Sequence, residues 1–335
     1  MAARVVVTDF IHEPLAIERE VLEGAASVTA IGAMSTDEFL SSLDDSSIAS
    51  ADALMVYHFV SVPREAIEKL PNCRLIVRCG AGFDNVDIKA ARDHNIDVAN
   101  VPDYGTEDVA DAAIALTLSL MRGTHRLNQL CQQGTDNWKY ELVVPLHRVR
   151  GQVFGVVGMG RIGTATALRA KALGMDVVFY DPNAVDGTDK AIGVRRVDTL
   201  AELLKQANAV SCHCLLNDQT QHIIDASAIA QMQRGSFLVN TSRGGVVDVL
   251  AVLEALESGR LGGAGIDVLE HEPPAADHPL IAAWRDPSHP ANSRLILTPH
   301  SAFYSEEGLE DMRRKGSENV RRVLAGEAPR NVVNA

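Results

Sequence analysis

Residues 153–174 read VFGVVGMGRIGTATALRAKALG: an apolar run, three glycines spaced as Gly158-x-Gly160-x-x-Gly163, and a helical pattern rich in alanine and leucine. The order spells a buried strand, a tight turn and a helix. Gly158 permits the turn, Gly160 lets the backbone approach a pyrophosphate, and Gly163 lets the helix pack closely on the strand. The helix N-terminus then presents its positive end to the phosphates. The next apolar run, MDVVFYD, ends at Asp181, eighteen residues beyond Gly163. That is near the offset of about 20 at which an acid binds ribose hydroxyls. A carboxylate there repels a 2′-phosphate, and Pro182 and Asn183 supply no arginine to hold one. NAD is therefore expected rather than NADP.

Outward from this stretch the same alternation repeats. Toward the N-terminus, RVVVTD, ALMVYH, RLIVRCG and IDVANVP alternate with the amphipathic runs PLAIEREVLEG, PREAIEKL and DIKAARDH, and the series closes near Pro102. Toward the C-terminus come AVSCHCL, SFLVNTS, AGIDVL and RLILTP, then an amphipathic helix over about Ser305 to Ala325. Strands alternating with helices from end to end predict an α/β protein with parallel sheets covered on both faces. Between the two series, Thr106 to about Gln133 reads as a helix apolar on nearly every side, which must be buried all round. The segment from Gly134 to Arg150 has no period but carries Trp138, Tyr140 and LVVPL. So much apolar surface predicts an arm packed on a second copy, hence a homodimer built on the nucleotide-binding halves.

The whole chain limits its function. Its 335 residues suggest about two domains; 46% are hydrophobic and 22% charged, as in ordinary globular proteins. Lys plus Arg is 31 against 44 Asp plus Glu, a net charge of −13 with no basic face for nucleic acid. No apolar run reaches the ~20 residues of a membrane span, and MAARVVVTDF lacks the phases of a signal peptide, so a cytoplasmic protein is expected. The five cysteines are odd in number and scattered, as expected of reduced thiols. The CHC run at Cys212–Cys214 has no second ligand pair, so no metal is expected.

Three further strand ends in the second half carry groups an apolar core would not choose. FLVNTSRGGVVD places Arg243 just beyond a strand, AGIDVLEHEPP places Asp267 within one and Glu272 just after it, and LILTPH places His300 at the end of a third. Ligands of open α/β sheets bind outside the carboxyl ends of the strands, where these side chains can converge. The remaining histidines, His213, His271, His278 and His289 among them, read as structural or solvated.

With GVVGMGRIG, FYDP, LVNTSRGGVVD, the DV…EP segment and TPHSAFYSEE in this order, nearly the whole chain resembles the D-isomer-specific 2-hydroxyacid dehydrogenases, in the branch of the C-terminal binding proteins. The resemblance implies two doubly wound parallel-sheet domains. A flavodoxin-like substrate domain would span 1–104 plus 305–335, and a Rossmann NAD domain 105–304. It implies Arg243 as the substrate-binding arginine, His300 as the catalytic histidine and Glu272 as its acid. Cofactor contacts would extend to Arg161, Ile162, Cys214, Asn217, Thr241 and Asp267. IVRCGAGFDNVD resembles a loop whose backbone amides hold the substrate carboxylate, implicating Arg78, Cys79, Gly80 and Ala81, and His58 resembles a histidine of the branch's substrate pocket.

The implied activity is reduction of a small 2-keto acid to a 2-hydroxy acid. Imidazole suits the proton step, a guanidinium grips carboxylate and carbonyl oxygen together, and a carboxylate beside the imidazole stabilises the imidazolium. Glyoxylate, hydroxypyruvate, phenylpyruvate, a branched keto acid and phosphite are all compatible with these residues. Formate is disfavoured, since those enzymes carry glutamine where this chain has Glu272. Two features depart from the corepressor branch: Phe303 stands where it has tryptophan, and the chain stops at Ala335 without a long tail. A metabolic enzyme is thus expected over the alternative, an NADH-sensing scaffold that binds partner peptides.

Overall fold

The structure, a computed structural model, describes residues 2–335. The chain divides into two compact units, one formed by the residues up to Gly105 with Tyr304–Ala335, the other by Thr106–Phe303.

The first unit holds β1 (Ala3–Val7), β2 (Ala26–Ala30), β3 (Ala53–Val56), β4 (Leu75–Arg78) and β5 (Asp97–Asn100) in one sheet of order β2-β1-β3-β4-β5. Every pairing is parallel. This is the flavodoxin-like order, with its switch point between β1 and β3. Every residue of β3 and β4 is buried, which explains their unbroken apolar runs.

The helix Glu306–Leu324 belongs to this unit, and its entry is fixed by Ser305, whose hydroxyl accepts from the Gly308 amide at 2.8 Å. Gly316 faces β4: a Cβ there would sit 2.8 Å from Cys79 Sγ. Arg313 grips the wholly buried Glu18 with two bonds, Nε to Oε1 at 2.7 Å and Nη2 to Oε2 at 2.6 Å. A lone carboxylate could not be buried so deeply; the planar fork supplies both donors and the opposite charge.

The second unit holds β6 (Val153–Val157), β7 (Asp176–Tyr180), β8 (Arg195–Arg196), β9 (Ala209–Cys212), β10 (Ser236–Asn240), β11 (Leu261–Ile266) and β12 (Leu295–Leu297). Their order is β12-β11-β10-β9-β6-β7-β8, all parallel, with the switch point between β6 and β9. It is the Rossmann order extended by one edge strand.

Two expectations for residues 106–150 need correction. The greasy run is two helices, Thr106–Arg122 and Thr124–Gln133, because Gly123 at φ +62° turns the chain between them. Within a single chain the first is covered on one face. Val109, Ala110, Ala113, Leu116, Leu120 and Met121 form one buried face against the helix Arg161–Ala172 and the β10/β11 side of the sheet, while Asp111 and Ala115 face outward. Alanines let the helix lie close without needing cover on every side. The arm that follows buries Val143 and exposes Trp138 (81%) and Tyr140 (72%). Among the described residues, no helix is long and apolar enough to cross a membrane.

Candidate active site

The glycine loop after β6 is shaped by close approach. Gly158 has φ +93°, and a Cβ there would meet the Cys214 backbone at 2.6 Å; one on Gly163 would sit 2.0 Å from the Gly158 carbonyl. Both positions require glycine for the loop to close. Gly160 is different: a Cβ there would meet nothing within 4 Å. Its open side lies at the start of the helix Arg161–Ala172, where no side chain caps the first amides. Arg161 and Ile162 form that first turn, with Arg161 exposed.

Asp181, just past β7, is bound to this loop. Its Oδ2 accepts from Met159 N at 2.7 Å and its Oδ1 from Asn183 N at 2.8 Å. A carboxylate has about four lone-pair sites, so two remain for ribose hydroxyls. A neighbour that adjacent sequence does not reveal is Arg196 on β8. It reaches the Asp181 carbonyl at 3.2 Å and pairs with Asp186 at 3.2 Å.

Beyond β9, Cys214 packs beside Gly158, and burial pushes its thiol up to about 11. Burial also pushes the His213 imidazole down to about 3, and its Nδ1 is buried with no partner while Nε2 lies 2.9 Å from Ser211 Oγ. Asn217 is exposed and spends its side-chain oxygen on the amides of Gln219 and Thr220. Thr241, after β10, has a buried Oγ1 without a partner. The loop open at Gly160, the uncapped helix start, the spare lone pairs of Asp181 and the orphaned Thr241 hydroxyl fit a dinucleotide in what they leave unsatisfied.

Arg243 stands three residues past β10. Buried Asn240 shapes its turn: Nδ2 donates to the Arg243 carbonyl at 2.9 Å, and Oδ1 accepts from the Ser242 amide at 3.1 Å and hydroxyl at 2.8 Å. Arg243 Nη1 donates to the Ser242 carbonyl at 2.9 Å. Gly244 lets this turn press on the loop carrying Glu272, since a Cβ there would lie 2.0 Å from the Leu269 backbone.

Glu272 and His300 are brought together. His300 Nδ1 lies 2.6 Å from Glu272 Oε2, and Glu272 Oε1 accepts from the Leu269 amide at 2.7 Å. A carboxylate only accepts, so Nδ1 carries a proton and the chemistry falls to Nε2. Phe303 stands edge-on to the imidazole with centroids 6.1 Å apart.

Asp267 lies just beyond β11 rather than within it, and the structure places it as a brace for the histidine loop. It is 2% exposed. Its Oδ1 accepts from Thr298 Oγ1 at 2.5 Å and Ser301 N at 3.0 Å, its Oδ2 from Ala302 N at 3.0 Å, and its carbonyl from His300 N at 2.8 Å. These bonds hold His300 at φ +51°.

In the first unit, the Cys79 amide is spent on the Val56 carbonyl at 2.7 Å, and Cys79 itself is buried, its thiol pushed up to about 12. The next carbonyls are tied down as well, Gly80 O by Val101 N at 3.1 Å and Ala81 O by Asn100 Nδ2 at 2.7 Å. Arg78 is largely buried, with Nε 3.4 Å from Asn85 Oδ1. His58 follows β3 on a turn whose flanking amides, Tyr57 and Phe59, donate to Asp9. Asp9 went unnoticed in the sequence because nothing local marks a residue that acts on a strand 48 positions away.

The chain is similar to known proteins along nearly its whole length. The family described as "D-isomer specific 2-hydroxyacid dehydrogenase, NAD binding domain" matches residues 114–302. C-terminal-binding protein 1 of Caenorhabditis elegans is 33% identical over 325 residues, covering 95% of this chain and 43% of that protein. D-3-phosphoglycerate dehydrogenase of Methanocaldococcus jannaschii is 34% identical over 331 residues, covering 99% of this chain and 59% of that one. The chain thus spans about half the length of these curated relatives. A glyoxylate reductase structure from Paecilomyes thermophila superposes with a TM-score of 0.86 at 27% identity, covering 99% of this chain and 98% of that one. With the matched family covering more than half of the residues, and with the glycine loop after β6 and the parallel Rossmann strand order in place, the chain belongs to the D-isomer-specific 2-hydroxyacid dehydrogenase family and carries that family's NAD-binding domain.

Proposed function

We propose that this protein is an NAD-dependent D-2-hydroxyacid dehydrogenase that reduces a small 2-keto acid, with His300 as general acid and base. The observation that carries the reading is the 2.6 Å contact between His300 Nδ1 and Glu272 Oε2. It fixes the ring's orientation and leaves Nε2 to deliver the proton to the carbonyl oxygen. NADH supplies the hydride to the carbonyl carbon when bound. Arg243 holds the substrate carboxylate and the oxygen on which charge develops. Since the Cys79 amide is used in the sheet, the Arg78–Ala81 loop grips a carboxylate through the Gly80 and Ala81 amides.

The test is NADH oxidation against about twenty 2-keto acids, with His300→Asn and Glu272→Gln alongside. His300→Asn should lose most turnover yet bind NADH, because the glycine loop and Asp181 are intact. Glu272→Gln removes a charge-assisted bond between partly exposed groups, worth about 1–2 kcal/mol, and should lower kcat about 5- to 30-fold. A scaffold that only senses NADH would bind it and turn over no keto acid. We also infer a homodimer, from the exposed Trp138 and Tyr140 of the arm. Light scattering at micromolar concentration should give twice the chain mass, and a monomer refutes it.

A further inference from the structure

The second unit holds a cavity of about 650 Å³ at the amino edge of its sheet, at the opposite end of the strands from the glycine loop, Arg243 and His300. Ser236 and Leu261, the first residues of β10 and β11, line it together with Arg126 of the helix Thr124–Gln133 and Val143 of the arm. Nucleotides of this fold bind at the carboxyl edge, so the cavity lies apart from the site described above.

Its charge is one-sided. Arg126, Arg234 and Arg294 line it and no aspartate or glutamate does, in a chain whose net charge is −13. Among the described residues none of the three guanidiniums forms an ion pair, whereas Arg169, Arg313 and Arg314 each hold a carboxylate. Arg234 Nη2 donates to the Ser258 carbonyl at 3.0 Å, and Arg294 Nη1 to that of Leu256 at 3.1 Å. These bonds cap the end of the helix Val249–Glu257, an ordinary use of a cation. They also bring the two guanidiniums together: a Cβ on Gly259 would lie 3.5 Å from Arg234 Nη2 and 3.8 Å from Arg294 Nη1. A guanidinium has five donors, and each cap uses one.

Two buried atoms on the same cavity lack partners. Ser236 is 3% exposed and its Oγ accepts and donates nothing; Arg126 Nε is buried and donates nothing. Buried polar groups are nearly always paired, so two orphans on one cavity call for a bound partner. A hydroxyl and a guanidinium share one complement, an oxyanion that accepts from both. Leu120, Val143 and Leu261 in the same lining suit an apolar body attached to that anion.

We propose that this cavity binds a small organic phosphate, a phosphate monoester with an apolar or aromatic body, held by Arg126, Arg234, Arg294 and the Ser236 hydroxyl. A phosphate monoester brings three acceptor oxygens and close to two negative charges to the guanidiniums, where a carboxylate brings two oxygens and one charge. The volume falls within the range of about 300–1,000 Å³ of small-molecule sites. The site is independent of which keto acid the enzyme reduces.

The experiment is calorimetric titration of phenyl phosphate into protein saturated with NADH, which keeps the glycine loop occupied, with benzoate as the carboxylate of the same body. Phenyl phosphate should bind at least tenfold more tightly than benzoate, and more weakly as salt rises. Ser236→Ala and Arg234→Gln should each weaken it about tenfold, as expected for a bond to a charged partner, with NADH affinity unchanged. Because Ser236→Ala removes an unpaired buried hydroxyl, the ligand-free variant should melt at or above the wild-type Tm. A lower Tm with unchanged phenyl phosphate binding assigns the hydroxyl to the fold and overturns its role. A wild type that binds no phenyl phosphate overturns the site, as does equal affinity for benzoate or binding unchanged in both variants. Absence of binding together with a dimer that Arg126→Gln splits into monomers assigns the cavity to a second copy instead.

Discussion

Replacing Asp267 with asparagine separates two roles for that residue, cofactor contact and loop brace. Its carboxylate accepts three hydrogen bonds from residues 298–302, from Thr298 Oγ1 and Ser301 N on one oxygen and Ala302 N on the other, in a site 2% exposed. An asparagine oxygen can keep the first two, but its amide then faces the Ala302 N–H donor to donor. One charge-assisted bond is lost, the two kept lose their charge, and a buried donor is left unpaired. Together these cost about 2–4 kcal/mol. At about 2–4 °C per kcal/mol for a domain of this size, Tm should fall by roughly 5–15 °C. His300 sits in the loosened loop at φ +51°, so kcat for keto-acid reduction should fall about 10- to 100-fold, as expected when a catalytic group is displaced by about 1 Å. The assays are thermal denaturation, steady-state kinetics and NADH titration on one preparation. If Asp267 is a brace, the NADH Kd stays within about threefold. An unchanged Tm with a Kd raised more than tenfold would refute the brace and restore the cofactor contact that the resemblance implies.

Asp181→Ala removes the carboxylate we propose for the ribose hydroxyls while Arg196 stays 3.2 Å from the residue 181 carbonyl, so NADPH should gain on NADH; equal use of both cofactors by the wild type would contradict this. His213, pushed down to about 3 by burial against an ordinary value near 6.5, contributes stability that is whole above pH 6.5 and lost as pH falls toward 3. The urea midpoint should drop across that window at no more than about 1.4 kcal/mol per pH unit from this group, and His213→Gln should flatten the drop. Arg313→Met leaves the buried Glu18 carboxylate without its partner and should destabilise the first unit by about 3–5 kcal/mol, read by chemical denaturation.

What could be read from the sequence was local. Strand and helix periods, the glycine spacing and the acid eighteen residues on are set by neighbours in the chain, so they predicted two parallel-sheet domains and an NAD cradle. Arg243, Glu272 and His300 were found because a charged group at the end of an apolar strand is anomalous without any tertiary knowledge. Local reading failed where packing intervened. The run 106–133 looked greasy all round because alanine counts as apolar wherever it points, and only the fold shows which face is covered. Partners far apart in sequence were invisible for a different reason. Asp9 with Phe59, Asp267 with Ala302 and Arg196 with Asp181 meet only once parallel strands have paired in register and their carboxyl ends have been brought to one edge. Which side chain then lies within bonding distance of which depends on crossovers, not on spacing along the chain. Phe10, strained at φ +65°, is the extreme case: its sequence context is ordinary, and its conformation exists only because a neighbouring strand supplies the amides that Asp9 binds.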